Sequence, residues 1–172
     1  MATGREMYLT RQIGEYLVAS KLGRMGYVAT PFAGNVPMFD LLVADTRGYA
    51  LPVQVKAIRG QSWQLRADAF LHIEMVDGEQ LVRGPLPLLN PQLLCVYVLL
   101  KDDERDEFYV FKLGDLQAHF AKSYKGGRRP KNPESMHCAV WPNDLEAYRD
   151  NWQLLESSFP HEFTTQPSGV TP

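Results

Sequence analysis

The sequence has few of the features that mark secreted or membrane-spanning proteins. Only two of its 172 residues are cysteines, and neither lies in a Cys-x-x-Cys or Cys/His cluster of the kind that binds zinc. The longest apolar run, Leu93 to Leu100, is far shorter than the roughly 20 residues that span a bilayer. Residues 1–8 also lack the apolar segment of a signal peptide. We therefore expect a cytoplasmic protein that makes no contact with a membrane.

A strong net charge is also absent. The chain carries 18 Lys and Arg against 20 Asp and Glu, a formal net charge of −2. No global basic field draws this protein to phosphate, so any contact with nucleic acid must be local. Neither a Gly-x-Gly-x-x-Gly nor a P-loop motif occurs, which argues against nucleotide-binding enzymes of those types.

The composition fits one soluble globular domain. Hydrophobic residues make up 45% of the chain and charged residues 22%, and 172 residues are enough to enclose one core. After Ser157 the composition turns to Ser, Thr, Pro and Gly. We therefore expect a domain over residues 1–156 and a flexible C-terminal tail over residues 157–172.

Apolar periodicity and turn residues predict an α/β fold. Thr10 is predicted to cap the first helix, which would end near Gly23 or Gly26. A turn at residues 45–48 joins two β-favouring runs, 38–44 and 49–58, into a hairpin. The other predicted elements are strands at 27–31, 70–76, 93–100, 108–112 and 136–140, a return strand that ends at Val82, and helices at 113–125 and 143–155. The unbroken apolar run at 93–100 is typical of a buried central strand.

Three polar side chains interrupt the otherwise apolar hairpin: Asp40, Gln54 and Lys56. A turn that pairs Asp45 with Tyr49 also places Asp40 directly opposite Gln54. Because side chains alternate along a strand, Lys56 then shares a face with Gln54. In this register a carboxylate, an amide and an ammonium group converge on one patch of the sheet, whereas a slip of one residue would separate them.

This combination of groups suits divalent-metal phosphodiester chemistry. Mg²⁺ takes one or two carboxylates together with water and phosphate oxygens, so Asp40 and a second acid suffice, with the Gln54 amide as a neutral ligand or orienting group. Glu15 is the second acid if the first helix packs on the hairpin. Lys56 would position the attacking water and offset charge on the phosphoryl oxygens. Two simpler explanations stay open, an ion pair between Lys56 and Asp40 and an i,i+4 pair between Arg11 and Glu15.

The same residues resemble the PD-(D/E)XK nuclease superfamily: Glu15 in the first helix, then Asp40, then Gln54-Val55-Lys56 after thirteen intervening residues. The resemblance covers residues 10 to 60. It implies a restriction-endonuclease-like core, in which a mixed β-sheet is flanked by helices. It also implies that Asp40, Gln54, Glu15 and the Val55 carbonyl bind Mg²⁺ or Mn²⁺, with Lys56 as the catalytic lysine.

The resemblance further implies an endonuclease that acts on nucleic acid, expected to be DNA, and it permits a homodimer. Two departures from the pattern matter. Gln54 replaces the usual Asp or Glu, and Met38-Phe39 precede Asp40 where the Pro of the motif would stand. One alternative is therefore a catalytically inactive module of the same fold that binds nucleic acid or a protein partner. Another is an assembly subunit that uses the apolar, Pro-rich segment at residues 81–94 as an interface.

Two further features could contact nucleic acid. Trp63 follows the Lys56 strand and would either stack on a base beside the cleft or be buried in the core. A loop around Tyr124 concentrates basic residues, which would form a phosphate-binding arm or simply a solvated loop. The candidates in this loop are Lys125, Arg128, Arg129 and Lys131. The histidines lack ligand spacing and are interpreted as structural or surface residues: His72, His119, His137 and His161.

Overall fold

The computed structural model describes residues 4–32, 38–102, 105–129 and 131–160. The loop expected around Gly34, Asn35 and Pro37 lies outside these ranges, as do His161 and the rest of the expected tail from residue 161 onward. Within the ranges, no helix is both long enough and apolar enough to cross a membrane.

The described chain forms three α-helices and nine strands, numbered here in chain order. The helices are α1 (Gly4–Arg24), α2 (Leu113–Ser123) and α3 (Gln153–Ser158). The strands are β1 (Val28–Pro31), β2 (Leu41–Ala44), β3 (Ala50–Ile58), β4 (Trp63–Arg66), β5 (Leu71–Val76), β6 (Glu79–Pro85), β7 (Leu94–Leu99), β8 (Glu107–Lys112) and β9 (His137–Val140). Two 3₁₀ helices cover Ala67–Ala69 and Pro142–Tyr148.

Five of the strands form one mixed sheet, in the order β1-β2-β3-β7-β8. The β3–β7 pair is parallel and the other neighbours are antiparallel. A parallel pair needs a long crossover, and here the chain between β3 and β7 forms β4, β5 and β6. Two ribbons, β4–β9 and β5–β6, complete the fold. The expected single α/β domain, with a mixed sheet flanked by helices and β7 as a buried inner strand, is confirmed.

Each face of the sheet carries its own hydrophobic core. On one face, Val53 and Val55 of β3 are buried in the core to which α1 and α3 contribute. On the other face, Cys95 of β7 is buried in a second core, to which α2 contributes. Because side chains alternate along β3, Gln54 and Lys56 face away from α1, and Gln54 lies beside Cys95 in the ladder.

The first helix is longer than predicted. It begins at Gly4, so the predicted cap at Thr10 is wrong. Residues 5–9 include Arg, Glu, Met and Leu, which are good helix formers and extend the helix toward the N-terminus. The helix ends at Arg24, close to the predicted stop, and Gly26 follows with a φ of +92°.

The predicted helix at 143–155 is also wrong, since the segment is broken into a 3₁₀ helix and the short α3. Asp144 accepts a hydrogen bond from the Trp141 N–H at 2.9 Å, and the 3₁₀ helix begins one residue earlier than predicted, at Pro142. Asp150 then has a φ of +50°, and its N–H donates to the carbonyl of Phe108 in β8 at 2.8 Å. Backbone pairing with the sheet edge therefore interrupts a sequence that is locally compatible with a helix.

Smaller differences occur at three strands and at the C-terminus. The short strand β4 was not predicted, β6 extends past Val82 to Pro85, and β2 begins three residues later than the run at 38–44. At the C-terminus, α3 continues to Ser158 and Phe159 is buried in the first core. Packed chain therefore extends beyond the domain end expected at residue 156.

Candidate active site

The β2–β3 hairpin adopts the predicted register, in which the turn pairs residues 45 and 49. Leu41 lies opposite Val53 in the ladder. Continuing this register by one residue places Asp40 opposite Gln54, as the sequence predicts. Asp40 lies immediately before β2 rather than within a strand, so the polar side chain does not interrupt the sheet.

The carboxylate of Asp40 is held by two hydrogen bonds. Its Oδ2 accepts the backbone N–H of Val55 at 2.8 Å, and its Oδ1 accepts from Nη2 of Arg11 at 2.8 Å. The side chain is only 12% exposed. Since β2 begins at Leu41, the carboxylate binds the Val55 N–H at the point where the β2 ladder ends. The local architecture therefore fixes the orientation of the acid.

Helix α1 brings a second acid to this point. Gly14 lets α1 approach β3 closely, because a Cβ at that position would lie 2.4 Å from the Cβ of Ala57. The neighbouring Glu15 accepts a hydrogen bond from Nε of Arg11 at 2.8 Å. The expected i,i+4 pair therefore forms, and the same guanidinium binds Asp40. This bridge raises the pKa of Arg11, through the hydrogen bond to Glu15 and the charge of Asp40.

Lys56 is not paired with Asp40. It forms no ion pair or side-chain hydrogen bond with any residue that the structure describes, so the ion-pair explanation of this lysine is wrong. It faces a cleft of about 480 Å³. The lining residues are Arg11, Asp40, Gln54, Val55, Lys56, Ala57, Ile58, Trp63 and Gln64. Glu15 does not line the cleft itself and is connected to it through Arg11.

Gln54 and Val55 supply neutral oxygens to the cleft that Asp40 also lines. The Gln54 Oε1 lies 4.0 Å from the Sγ of Cys95, a long contact. Burial raises the pKa of Cys95 to about 12, so the thiol stays protonated and is at most a weak donor. The Val55 N–H faces Asp40, and in an antiparallel ladder the carbonyl of a residue points the same way as its N–H. The Val55 carbonyl is therefore on the side of Asp40, whereas the Gln54 amide oxygen lies toward β7.

These oxygen donors fit a hard divalent cation. Within the described ranges, no group of three or more His, Cys, Asp and Glu side chains could hold a metal ion. Mg²⁺ needs fewer, since it binds through one or two carboxylates and completes its shell with water and substrate phosphate. The bridge formed by Arg11 shows that both carboxylates face one positively charged group, as they would face a bound divalent cation. Asp40 and Glu15, supplemented by Gln54 and Val55, would be its ligands.

Trp63 does not serve as a stacking platform for a base. It is 2% exposed, and its ring lies 5.2 Å from that of Tyr97 and 5.7 Å from that of Tyr109. Its Nε1 donates to the carbonyl of Lys56 at 3.1 Å. The expected contact of Trp63 with nucleic acid is therefore wrong, and the indole instead supports the backbone of the catalytic lysine candidate.

The basic loop is fixed to the fold and is not a free arm. Tyr124 is buried and donates to Oε1 of Gln80 at 2.5 Å, while Gly127 pairs with the backbone of Gln80. Arg128 lies 3.4 Å from Glu79. The other basic candidates are Arg129, which stacks on Tyr124, and the exposed Lys125 and Lys131. None of these basic residues lines the cleft.

Arg11 is the residue of this site that sequence reasoning did not assign to it. Its helical pairing with Glu15 was visible in the spacing, but its contact with Asp40 spans 29 residues and depends on how α1 docks. The only sequence signal for that docking is Gly14, which looks like an ordinary interruption of the helix until its contact with Ala57 is seen.

Comparison with known proteins identifies a similar fold. No protein-family model and no curated protein matches the chain. Among solved structures, the fold is similar to that of a bacterial homing endonuclease, I-Ssp6803I, with a TM-score of 0.51. The sequences are 17% identical over 87% of this chain and 93% of that one. The similarity shows a shared nuclease-like fold, and the PD-(D/E)XK assignment stays a prediction.

Proposed function

We propose that this protein is a metal-dependent endonuclease that hydrolyses phosphodiester bonds in DNA. The observation that carries the proposal is the cleft, where one guanidinium joins the Asp40 and Glu15 carboxylates and Lys56 faces the same space without an ion-pair partner among the described residues. The fold shared with a homing endonuclease supports DNA as the substrate.

The two acids and their neighbours would bind the divalent cation, Mg²⁺ or Mn²⁺. Asp40 supplies an oriented carboxylate, because the Val55 N–H holds its Oδ2. Glu15 supplies the second acid, while the Gln54 amide and the Val55 carbonyl contribute neutral oxygens. When bound, such a cation polarises the phosphodiester and orients the attacking water.

Lys56 performs the complementary task at the phosphate. Its ammonium group has three N–H donors and can contact the non-bridging oxygens, on which negative charge grows as water attacks phosphorus. Addition of water and cleavage of one P–O ester bond leave a phosphate terminus and a hydroxyl terminus. Trp63 keeps the backbone of Lys56 in place during this step.

Gln54 favours a second candidate function, a catalytically inactive module that binds DNA. The four charged side chains of the site are Arg11 and Lys56 against Asp40 and Glu15, so their formal charges cancel. An acid at position 54 would make the site negative and strengthen its attraction for a cation. The inactive module would bind DNA equally in EDTA and in Mg²⁺ and would cleave nothing.

The test is a cleavage assay on supercoiled, linear duplex, single-stranded and branched DNA and on RNA, in Mg²⁺, Mn²⁺ or EDTA. We expect metal-dependent cleavage that Asp40→Asn abolishes while the protein stays folded. Glu74→Gln is the matched control, because Glu74 also pairs with an arginine, Arg83, but does so at the surface outside the cleft. Absence of cleavage with every metal and substrate would overturn the proposal in favour of the inactive module.

A further inference from the structure

A second pocket lies at the basic loop, and nothing in the proposed reaction uses it. It has a volume of about 470 Å³ and is formed by α2, the loop that follows α2, β9 and the start of the second 3₁₀ helix. Trp141 lines it and is 47% exposed, whereas Trp63 and Trp152 are 2% and 8% exposed. Tryptophan side chains are mostly buried, so an exposed tryptophan in a concave site is typical of a binding surface.

The charges around this pocket are suited to a phosphate. Lys125 and Arg129 line it, and neither forms an ion pair within the described part of the chain. The Arg129 guanidinium lies 4.8 Å from the centre of the Tyr124 ring, and its Nε is buried without a hydrogen-bond acceptor among the described residues. The acid that lines the pocket, Asp144, already accepts the N–H of Trp141. Two cations beside an exposed ring are therefore available to a ligand.

This pocket and the cleft both border the β4–β9 ribbon. Gln64 of β4 lines the cleft, Ala139 of β9 lines the second pocket, and these two residues are directly opposite each other in the ladder. Side chains of opposite residues point to the same face and lie about 5 Å apart. The cleft and the second pocket are therefore neighbours at the ribbon, within reach of one nucleic-acid strand.

We propose that the second pocket binds an unpaired nucleotide of the strand whose phosphodiester occupies the cleft. Trp141 stacks on the base, and Lys125 and Arg129 bind the adjoining phosphate, as aromatic and cationic groups do in single-strand sites. This inference rests on the proposed function and names its substrate class, DNA that has a single-stranded segment beside the cleaved bond. Fully paired duplex cannot present a base to Trp141 without unpairing.

The test measures binding in EDTA, so that cleavage does not enter. The probes are a fluorescently labelled single-stranded DNA and its duplex, each measured by anisotropy with the full-length protein. We expect Trp141→Ala to weaken single-strand binding about tenfold, with Trp141→Phe retaining most of the affinity and the duplex little affected. Lys125→Met should weaken binding and reduce its salt dependence, whereas Lys122→Met, an exposed lysine of α2 outside the pocket, should not.

Tryptophan fluorescence gives an independent signal, because Trp141 is the one exposed indole of the three in the sequence, the other two being buried. Single-stranded DNA should quench the emission of the wild-type protein, and the quenching should disappear in Trp141→Phe. Unchanged single-strand affinity in both Trp141→Ala and Lys125→Met, or quenching that persists in Trp141→Phe, would overturn the inference. If Trp141-dependent binding occurs in a protein that cleaves nothing in Mg²⁺, the pocket stands and the nuclease proposal fails.

Discussion

Two acid clusters in this molecule have similar components and different surroundings. Glu107 of β8 is 10% exposed and accepts hydrogen bonds from Arg149 and from the Tyr109 hydroxyl, both at 2.8 Å, and from Lys101. Asp40 is 12% exposed and also binds an arginine. Burial of a carboxylate against a cation therefore does not by itself separate a structural cluster from a candidate active site.

The two clusters differ in whether each cationic side chain has an ion-pair partner. Around Glu107, both cations and the hydroxyl meet the same carboxylate. Burial acts to raise the pKa of Glu107, but the hydrogen bonds from Lys101 and Tyr109 and the charges of Arg149 and Lys101 together lower it. Around Asp40, Lys56 has no ion-pair partner in the described part of the chain, and the groups face a cleft of about 480 Å³. An unmatched cation beside an oriented acid in an open cleft is the feature that indicates chemistry.

The largest effect is expected from Lys56→Met. If Lys56 stabilises charge on the phosphoryl oxygens, its loss should slow cleavage by about 100- to 1,000-fold. The midpoint of urea unfolding should not fall, because no ion pair is lost. Cleavage rates are measured beside Lys122→Met as the matched lysine control. Cleavage by Lys56→Met at close to the wild-type rate would remove Lys56 from the mechanism.

The reverse experiment is Glu107→Gln. This change removes the charged acceptor of Tyr109, Lys101 and Arg149. We therefore expect the free energy of unfolding, measured in urea, to fall by about 1.5–3 kcal/mol. Cleavage per folded molecule should be unchanged, because Glu107 lies outside the cleft. Glu74→Gln, at a carboxylate that is 41% exposed, should change stability by less than about 1 kcal/mol. Loss of activity in folded Glu107→Gln would contradict the structural role of this cluster.

Gln54→Glu adds a negative charge to the cleft. A third carboxylate near Asp40 should tighten Mg²⁺ binding by roughly tenfold, because each added negative charge attracts the cation at short range. Isothermal titration calorimetry on the wild type and the variant measures this directly. An affinity that stays the same or falls would show that the metal does not bind beside position 54.

The pH dependence of stability should report on the Glu107 cluster, as the smallest of these effects. The pKa of Glu107 is lowered from its ordinary value of 4.5, so the unfolded chain takes up its proton first as pH falls. Its stabilisation is complete above about pH 4.5 and is lost as pH falls through the folded-state pKa. The melting temperature should therefore fall more steeply with acid in the wild type than in Glu107→Gln. If the melting temperature falls equally steeply with pH in the two proteins, Glu107 does not stabilise the fold as a charged group.

The sequence carries the parts of the site that local rules determine. The turn at residues 45–48 sets the register of the hairpin, and strand alternation then places Gln54 and Lys56 on one face. The register and the alternation involve residues close in sequence and a strict period of two. They can therefore be predicted without knowledge of the fold.

Other parts of the site and the fold depend on long-range packing and could not be predicted from the sequence. Arg11 reaches Asp40 only because α1 docks on β3 at Gly14, and Trp63 is buried because two aromatic rings from β7 and β8 enclose it. The helix predicted at 143–155 is interrupted because Asp150 pairs with β8. In each case a tertiary contact overrides a local preference.

The most direct test of the central claim is a crystal structure with Mn²⁺, in which anomalous scattering locates the ion. We expect a peak about 2.1 Å from a carboxylate oxygen of Asp40, with Glu15 reaching the ion directly or through water and Arg11 displaced from between the two acids. Lys56 should remain free to meet a phosphate. An Mn²⁺ ion bound elsewhere, with Arg11 still joining Asp40 and Glu15, would show that these two acids do not form the metal site.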